Sequence, residues 1–378
     1  MTTTIHLSGP ADVLTVLPYQ LGFHPHDCLV TVSLHGTRMG LVQRIDLPPP
    51  EHVREAVAAM IGPLRQDRPR SVLLIGFEER EAESRAMLNE MAGECLANDV
   101  EVTDRIVVRG GRWFDLDCTR SCCPPEGLAL PDPSEVPAVA EFVGREICPL
   151  PDRLALADLL EPSPLMSQGV APLADEWLKR RSVAAESEGA EQDPCNVEHD
   201  ARNTALHEIR ARELAVWARV LHGEDEAEPI SALPWRDLAI LAVSLTDVDL
   251  RDGLIAWLCP GALPQDVMDP NLVDQMSRAL LEPSWLGGSG GGTRRAEVEQ
   301  VIGQQRIERR LCELCAALPD VWAVSALTLL AAFTWWRGDG ALTRIALDRA
   351  LRVDPHYRLA QLLERMVDLA IRPEKASA

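Results

Sequence analysis

The spacing of apolar residues changes across a short stretch from Cys118 to Gly127, which reads CTRSCCPPEG. On its N-terminal side, apolar runs typical of strands come between segments with helical spacing. From residue 201 onward every periodic segment has helical spacing. The two prolines in the stretch stop regular structure, so it marks the seam between two halves. The sequence therefore predicts a mixed α/β domain followed by an all-α domain.

The strand signals all fall in the N-terminal half, residues 1–127. Residues 71–77 form a short continuous apolar run, which favours a strand covered by helices on both faces. The predicted elements are a strand and a helix within 4–17, strands at 28–34 and 39–47, a helix at 51–65, a strand at 71–77, a helix at 82–98, and strands at 100–108 and 111–117. Their order describes a mixed sheet with helices packed on it.

The rest of the chain is predicted to be helical after a connector. Residues 128–200 are rich in proline and acidic residues and contain some helix, and residues 201–378 form the all-α domain. The run GGSGGG within this domain predicts a flexible loop at 286–293. The predicted helices cover 201–222, 234–246, 249–258, 271–281, 294–318, 321–337, 341–352 and 356–371.

One helix pair near the C-terminus has a more specific pattern. Residues 338–355 read GDGALTRIALDRALRVDP and resemble the second helix of a tetratricopeptide unit, with the pair spanning about 321–355. A single such unit cannot bury its own apolar face. We expect the pair to dock against the rest of the helical half, with docking on a partner as the alternative.

The charge balance limits the classes of partner. The chain has 37 basic and 58 acidic residues, a formal net charge of -21. Such an excess repels phosphate backbones and anionic lipid, so we expect neither nucleic acid nor a membrane surface as partner. A local basic patch can nevertheless survive a negative total.

The expected compartment is the cytoplasm. No segment reaches 18 consecutive apolar residues, and the N-terminus lacks a basic region followed by an apolar run. In a reducing compartment the ten cysteines are thiols, metal ligands or redox groups rather than disulfides.

The cysteine-rich stretch allows three interpretations. Cys118, Cys122 and Cys123 offer three thiolates, whereas tetrahedral zinc takes four ligands, so a fourth would come from elsewhere, such as His24, His26 or Cys28. Side chains of adjacent cysteines tend to diverge, which argues against a shared metal. The favoured interpretation is a rigid corner of buried thiols packed as small hydrophobes, with a metal site and a reactive thiol as alternatives.

Three other polar groupings are candidates for chemistry. The loop from His24 to Asp27 pairs histidine with a carboxylate, although a tight turn in which Asp27 bonds backbone amides is favoured. Arg44 and Asp46 alternate along a predicted strand and project to one face. Further candidates are Arg251 and Asp252 before an apolar helix, where Asp252 is expected to cap the helix or to favour its N-terminus. The alternatives are a buried Arg251 that holds two helix ends and, after it, a ligand site. The C-x-x-C at residues 312–315 lies inside a helical run and is interpreted as core packing.

Several of these stretches together resemble one family. The residues that carry the resemblance are the PYQLGFHPHDCLV run from Pro18, Arg44-x-Asp46-Leu47-Pro48, residues 113–127, Arg251-Asp252, and Gly338-Asp339-Gly340-Ala341 through Asp354-Pro355. The chain resembles, from about Leu7 to Ile371, the actinobacterial family known as domain of unknown function 4192. The resemblance implies a cytoplasmic protein of high-GC Gram-positive bacteria. The family carries no established activity, so the resemblance assigns none to this chain.

Two functional hypotheses follow. The chain lacks phosphate-loop, dinucleotide-binding, zinc-protease and serine-hydrolase motifs. The first hypothesis is an interaction or regulatory protein whose helical half binds a protein partner. The second is an enzyme or metal-binding protein with a site formed by the His24–Asp27 loop and the cysteine stretch; no cofactor is predicted, with zinc as the lesser alternative. The candidate site residues are His24, His26, Asp27, Arg44, Asp46, Cys118, Cys122, Cys123, Glu126, Arg251 and Asp252.

Overall fold

The computed structural model describes residues 7, 9–36, 38–118, 122–186, 197–221, 229–263, 268–280 and 294–373. The chain divides into two compact units. The sheet unit comprises Thr2–Ala155 with Asp368–Ile371, and the helical unit comprises Leu156–Val367 with the residues at the two chain ends. A mixed sheet with helices, followed by an all-helical region, is the fold class that the sequence predicts.

The sheet unit is built on one six-stranded sheet. Its elements are α1 (Pro10–Leu21), β1 (Cys28–His35), β2 (Arg38–Asp46), α2 (Val53–Asp67), β3 (Ser71–Phe77), α3 (Arg85–Ala97), β4 (Glu101–Arg109), β5 (Arg112–Asp115), β6 (Leu128–Ala129) and α4 (Pro137–Val143). The strand order is β2-β1-β3-β4-β5-β6. Only β3 and β4 pair in parallel, and α3 makes the crossover between them; the other neighbours are antiparallel.

Both faces of the central strands are covered, as the apolar run at 71–77 predicts. Val72 and Leu74 pack with α2 and α3 on one face, while Leu73 and Ile75 pack with α1 on the other. This alternation is the pleat of a strand buried on both sides. The first predicted strand falls largely on residues outside the described part of the chain.

The sheet unit continues past the seam at residue 127. Strand β6 pairs with β5, and α4 then packs on α1, where the rings of Tyr19 and Phe142 lie 5.7 Å apart. Residues 128–155 were predicted to be connector, but their apolar side chains complete the core beside α1. Contacts therefore group them with the sheet.

The helical unit agrees closely with the predicted helices. Its elements are α5 (Arg153–Asp158, which straddles the division between the units), α6 (Pro164–Glu186), α7 (Val197–Leu221), α8 (Trp235–Ser244), α9 (Val248–Leu258), α10 (Pro270–Ala279), α11 (Arg294–Ala317), α12 (Asp320–Arg337), α13 (Gly340–Val353) and α14 (Arg358–Asp368). Helix α6 was not predicted, because Pro172 and a weak apolar stripe conceal it. The predicted glycine-rich loop at 286–293 lies outside the described residues.

Helix α12 forms the centre of the helical unit. Almost all of its residues from Ala323 to Trp336 are buried, and it packs against α6, α8, α9, α11 and α13. The α12–α13 pair is thus docked within its own unit. Within the described residues, none of the helices combines the length and the apolar character that a membrane span requires.

A buried arginine ties several helical segments together. Arg349 on α13 donates to the carbonyl oxygens of Leu160 and Cys315, the second at 3.0 Å, and to the Asp320 carboxylate at 2.9 Å. Cys312 and Cys315 lie buried on α11, and burial raises the pKa of the Cys315 thiol to about 12. These two thiols belong to the core.

Candidate functional site

The three cysteines that follow β5 bring their sulfur atoms together. The Sγ atoms of Cys118 and Cys122 lie 3.7 Å apart, and those of Cys122 and Cys123 lie 3.9 Å apart. All three sulfur atoms lie within 4.8 Å of one another. We call residues 118–123 the cysteine turn. Its three sulfurs are the one group of potential metal ligands of this kind among the described residues.

The chain enters the cysteine turn through a fixed bend. One carboxylate oxygen of Asp115 accepts the backbone amides of Asp117 at 2.9 Å and Cys118 at 3.0 Å. The guanidinium of Arg105 on β4 donates two hydrogen bonds, of 2.9 and 2.5 Å, to the Asp117 carboxylate. These hydrogen bonds hold the pKa of Asp117 below its usual range. Both anchors come from neighbouring strands, so the sheet sets the position of Cys118.

The chain leaves the cysteine turn through a second fixed bend. The Gly127 amide donates to the Pro124 carbonyl at 2.9 Å, and Gly127 has a φ of 72°, in the left-handed region that favours glycine. A Cβ atom there would lie 2.6 Å from the Phe114 ring. Arg112 donates to the carbonyl oxygens of Glu126 and Gly127, both at 2.7 Å. The CPPEG segment therefore forms a turn whose backbone is held by hydrogen bonds, and Glu126 contributes to it through its carbonyl oxygen.

The thiols of the cysteine turn are open to solvent, contrary to the favoured interpretation of the sequence. Cys122 is exposed, while Cys118 and Cys123 are half-buried. The expectation that adjacent cysteines diverge is also wrong here, because the Sγ atoms of Cys122 and Cys123 lie 3.9 Å apart.

The separations between the sulfurs match those of metal-bound thiolates. Two ligands at about 2.3 Å from a tetrahedral zinc ion lie about 3.8 Å apart. The two measured separations, 3.7 and 3.9 Å, bracket that value. Hydrogen bonding with Cys118, desolvation and the neighbouring thiols raise the pKa of Cys123 to about 12. Three thiolates at this spacing repel one another, and a bound cation would compensate that repulsion.

The His24–Asp27 loop and the pair Arg44 and Asp46 meet at one end of the sheet. Asp46 is opposite Cys28 in the β1–β2 pairing, and the Asp27 carbonyl accepts the Leu47 amide at 2.9 Å. Asp27 has a φ of 43° and contributes its carbonyl rather than the expected carboxylate. Arg44 pairs with the Asp46 carboxylate at 2.5 Å.

Two pKa shifts accompany this end of the sheet. Desolvation and the neighbouring His26 lower the pKa of His24. Burial raises the pKa of the Cys28 thiol to about 11, although Arg44 acts in the opposite direction. Cys28 is fully buried on β1 and does not belong to the group formed by the three sulfur atoms of Cys118, Cys122 and Cys123.

The structure separates this loop from the cysteine turn, so the joint site predicted for an enzyme is wrong. Strand β3 runs antiparallel to β1, and β4 runs parallel to β3. Strand β5 runs antiparallel to β4, so β5 has the same direction as β1. The loop precedes β1 and the turn follows β5, which places them at opposite ends. Two strands also lie between them, a lateral distance of about 14 Å. His24 and His26 therefore do not join the three thiols.

Arg251 and Asp252 have structural roles within the helical unit. Helix α9 begins at Val248, and its cap is Asp247, which accepts the amides of Asp249 and Leu250. The prediction that Asp252 caps this helix is therefore wrong by one turn. Arg251 instead bonds Asp252 and donates to the Tyr357 hydroxyl at 2.9 Å, which connects α9 to the start of α14.

One polar cluster was missed by the sequence analysis. A single carboxylate oxygen of Asp67 accepts hydrogen bonds from the buried Ser33 hydroxyl, from His35 at 3.0 Å and from the Leu41 amide at 3.3 Å. The β1–β2 register shifts between Val32 and Leu34, so Ser33 lies at an irregularity of the strand. A Cβ at Gly40 would lie 2.6 Å from the Ser33 hydroxyl. Because Ser33 is fully buried and its partner is a carboxylate, this cluster joins α2 to the hairpin.

The family comparison agrees with the resemblance carried by the motifs. The family described as Domain of unknown function (DUF4192) matches residues 10–269 and 293–374. The match covers most of the chain, so the protein belongs to this family. No curated protein and no solved structure matches the chain.

Proposed function

We propose that the protein binds a thiophilic metal ion, zinc in the first place, through Cys118, Cys122 and Cys123. The observation that carries the proposal is the spacing of the three sulfur atoms, 3.7 and 3.9 Å for two pairs and within 4.8 Å for all. Thiolate donors select zinc, Cu(I) and iron–sulfur clusters over hard cations such as magnesium.

Three protein ligands leave one coordination position for water or an incoming donor. Structural zinc sites use four protein ligands, whereas sites with three keep an open position. Among the described residues no histidine or carboxylate joins the sulfurs as a fourth ligand. The proposed role is reversible metal binding at an exchangeable site, in a cytoplasmic compartment that keeps the thiols reduced.

The supporting contacts explain how the site would be organised before the ion arrives. Arg105 fixes the start of the turn through Asp117, and Arg112 fixes its end through two carbonyl oxygens. A metal site needs such support, because ligands on an unrestrained loop lose conformational entropy on binding.

The experiment is zinc binding by the reduced full chain, measured by elemental analysis and by titration of reactive thiols. We expect about one zinc ion per chain and protection of three thiols by the metal. Cys118→Ser, Cys122→Ser and Cys123→Ser should each weaken binding by at least tenfold. Cys148→Ser is the matched control, because Cys148 is another exposed thiol of the sheet unit.

Proton release gives an independent readout of the same proposal. Ligand thiols must lose their protons to bind zinc, so binding releases protons and weakens as the pH falls. Titration calorimetry in buffers of different ionisation enthalpy measures the number of protons released per zinc ion bound. A wild type that binds no zinc, or a Cys148→Ser variant that loses as much binding as the other three, would overturn the proposal.

A protein partner for the helical unit is a second proposal. Its support is the tetratricopeptide resemblance of residues 321–355 and exposed apolar side chains, which include Val321 on α12 and Leu362 on α14. Because α12 is enclosed by its own unit, a partner would use the outer surface, near Arg344 and Arg358. Pull-downs from the native host with Arg344→Glu and Arg358→Glu variants test this; a partner retained equally by both variants would contradict it.

A further inference from the structure

A cluster of arginines lies at the end of the sheet where β1 turns into β2. The segments 35–38 and 65–70 contain four arginines and a histidine against one aspartate, in a chain with a net charge of -21. The four arginines are Arg38, Arg65, Arg68 and Arg70. A local excess of positive charge on a strongly acidic protein is a feature that solubility does not require.

Backbone contacts bring these segments together. Arg38 is opposite His35 in the β1–β2 pairing, and the Arg70 amide donates to the Leu34 carbonyl at 3.0 Å. His35 in turn bonds the Asp67 carboxylate, next in sequence to Arg68. The end of α2, the hairpin turn and the start of β3 therefore form one surface, which we call the basic cleft.

The arginines of the basic cleft are exposed to solvent. The part of the chain that the structure describes offers no ion pair or hydrogen bond to the side chains of Arg38, Arg65, Arg68 or Arg70. Asp67, the one carboxylate within the two segments, is already occupied by Ser33, His35 and Leu41. These guanidinium groups therefore keep their hydrogen-bond donors available for a ligand.

Arg68 occupies a backbone position where an arginine is unfavourable. It ends α2 with a φ of 50°, in the left-handed conformation for which glycine or asparagine is the usual residue. A non-glycine residue pays a conformational cost there. Because the backbone does not favour arginine, we attribute its presence to its side chain.

A depression that is open to solvent accompanies the charge at the end of α2. It has a volume of about 580 Å³ and is lined by Gly62, Arg65, Gln66 and Arg68. Small-molecule sites occupy about 300 to 1,000 Å³. A guanidinium binds phosphate oxygens in a two-point geometry, which makes paired arginines a recurring phosphate site. The acidity of the rest of the chain disfavours a long polyanion, which would extend beyond the cleft.

We infer that the basic cleft binds a small phosphorylated molecule, with Arg65 and Arg68 contacting its phosphate groups. This site is separate from the cysteine turn and does not depend on a metal at that turn. Inorganic phosphate and a pyrophosphate-bearing metabolite both offer phosphate oxygens that accept hydrogen bonds from guanidinium groups. A molecule with two phosphate groups could contact Arg65 and Arg68 at the same time.

The test is titration calorimetry of the full chain with inorganic pyrophosphate and, separately, with inorganic phosphate. We expect pyrophosphate to bind more tightly than phosphate. Arg65→Gln and Arg68→Gly should each weaken pyrophosphate binding by roughly tenfold or more, because each removes a charged hydrogen-bond donor. Arg68→Gly also relieves the backbone at φ 50°, so a loss of binding there does not come from misfolding.

Two further variants separate charge from shape. Gly62→Phe places a bulky side chain beside Arg65 and Gln66 and keeps every charge, and its Cβ would meet no atom within 4 Å. It should also weaken binding. Arg236→Gln removes an exposed arginine from the helical unit and should bind like wild type.

Three results would overturn the inference. The first is the absence of pyrophosphate binding at millimolar concentration. The second is binding that the Arg65, Arg68 and Arg236 variants weaken equally, which would indicate a general effect of charge. The third is a single-stranded oligonucleotide that binds more tightly than pyrophosphate through the same arginines, which would make the ligand a nucleic acid.

Discussion

Replacing Gly127 by alanine tests whether the corner after the cysteine turn is set by a steric requirement. Gly127 has a φ of 72°, and an added Cβ would lie 2.6, 2.9 and 2.9 Å from three atoms of the Phe114 ring. The left-handed backbone costs alanine about 1–2 kcal/mol, and the overlap with a packed ring costs about 1–3 kcal/mol more. We therefore expect Gly127→Ala to destabilise this corner by about 2–5 kcal/mol in total.

Gly110 provides a matched control for the backbone part of that cost. It also has a left-handed φ, 56°, but a Cβ there meets nothing within 4 Å. Gly110→Ala should therefore cost only the conformational part, about 1–2 kcal/mol. The difference between the two variants isolates the contact with Phe114. Combining Gly127→Ala with Phe114→Leu should restore part of the difference.

Amide hydrogen exchange is the appropriate assay, because the two units of the chain need not unfold together. The opening free energy of peptides from β4, β5 and β6 should fall more in Gly127→Ala than in Gly110→Ala. Zinc affinity should fall with it, since a looser corner no longer holds the three thiols together. Equal effects of the two substitutions on exchange would refute the steric argument.

Two further predictions concern buried polar groups. Asp67→Asn should destabilise the sheet unit by about 1–3 kcal/mol at neutral pH, because the buried Ser33 hydroxyl loses its carboxylate partner. Burial alone would raise the pKa of Asp67, but hydrogen bonds from Ser33, His35 and Leu41 outweigh it and lower that pKa. The ionised carboxylate therefore stabilises the fold above its ordinary pKa, and this stabilisation is lost as the pH falls through the lowered pKa. In urea unfolding at a series of pH values, the free energy of unfolding of Asp67→Asn should fall less steeply towards acid than that of the wild type. An equally steep fall in the variant would contradict the assignment. Arg349→Ala should cost the helical unit about 2–6 kcal/mol in urea unfolding, because the carbonyls of Leu160 and Cys315 lose their buried donor, at about 1–3 kcal/mol each. A cost below about 1 kcal/mol, no more than an exposed ion pair contributes, would contradict that role.

The fold could be read from the sequence where periodicity is strong. The apolar run at 71–77 predicts the central strand because both of its faces are buried, and the helices after residue 201 begin and end close to their predicted positions. Helix α6 was missed because Pro172 interrupts it and its apolar residues do not form a clear stripe. Strand β6 was missed because two residues carry no periodic signal.

The candidate site could be predicted only in part. The sequence identified Cys118, Cys122 and Cys123, but their convergence depends on two bends fixed by Asp115 and Gly127, which spacing alone does not reveal. The prediction of a joint site with His24 failed because strand direction and order separate the two loops. Both the convergence of the three cysteines and the separation of the two loops depend on contacts between residues that are distant in sequence.

The basic cleft was hidden for a similar reason. Its arginines are spread over two segments, 35–38 and 65–70, and each segment alone reads as an ordinary turn or helix end. The overall charge of -21 also disfavours the binding of anions. The pairing of β1 with β2 and β3 brings the segments together.

X-ray absorption spectroscopy of the zinc-loaded full chain tests the central claim most directly, because it counts the atoms around the metal. The three-thiol site predicts three sulfur neighbours at about 2.3 Å and one lighter oxygen or nitrogen neighbour. Cys123→Ser should reduce the sulfur count to two. A first shell of four sulfurs, a shell dominated by histidine nitrogen, or a spectrum unchanged by Cys123→Ser would contradict the proposed site.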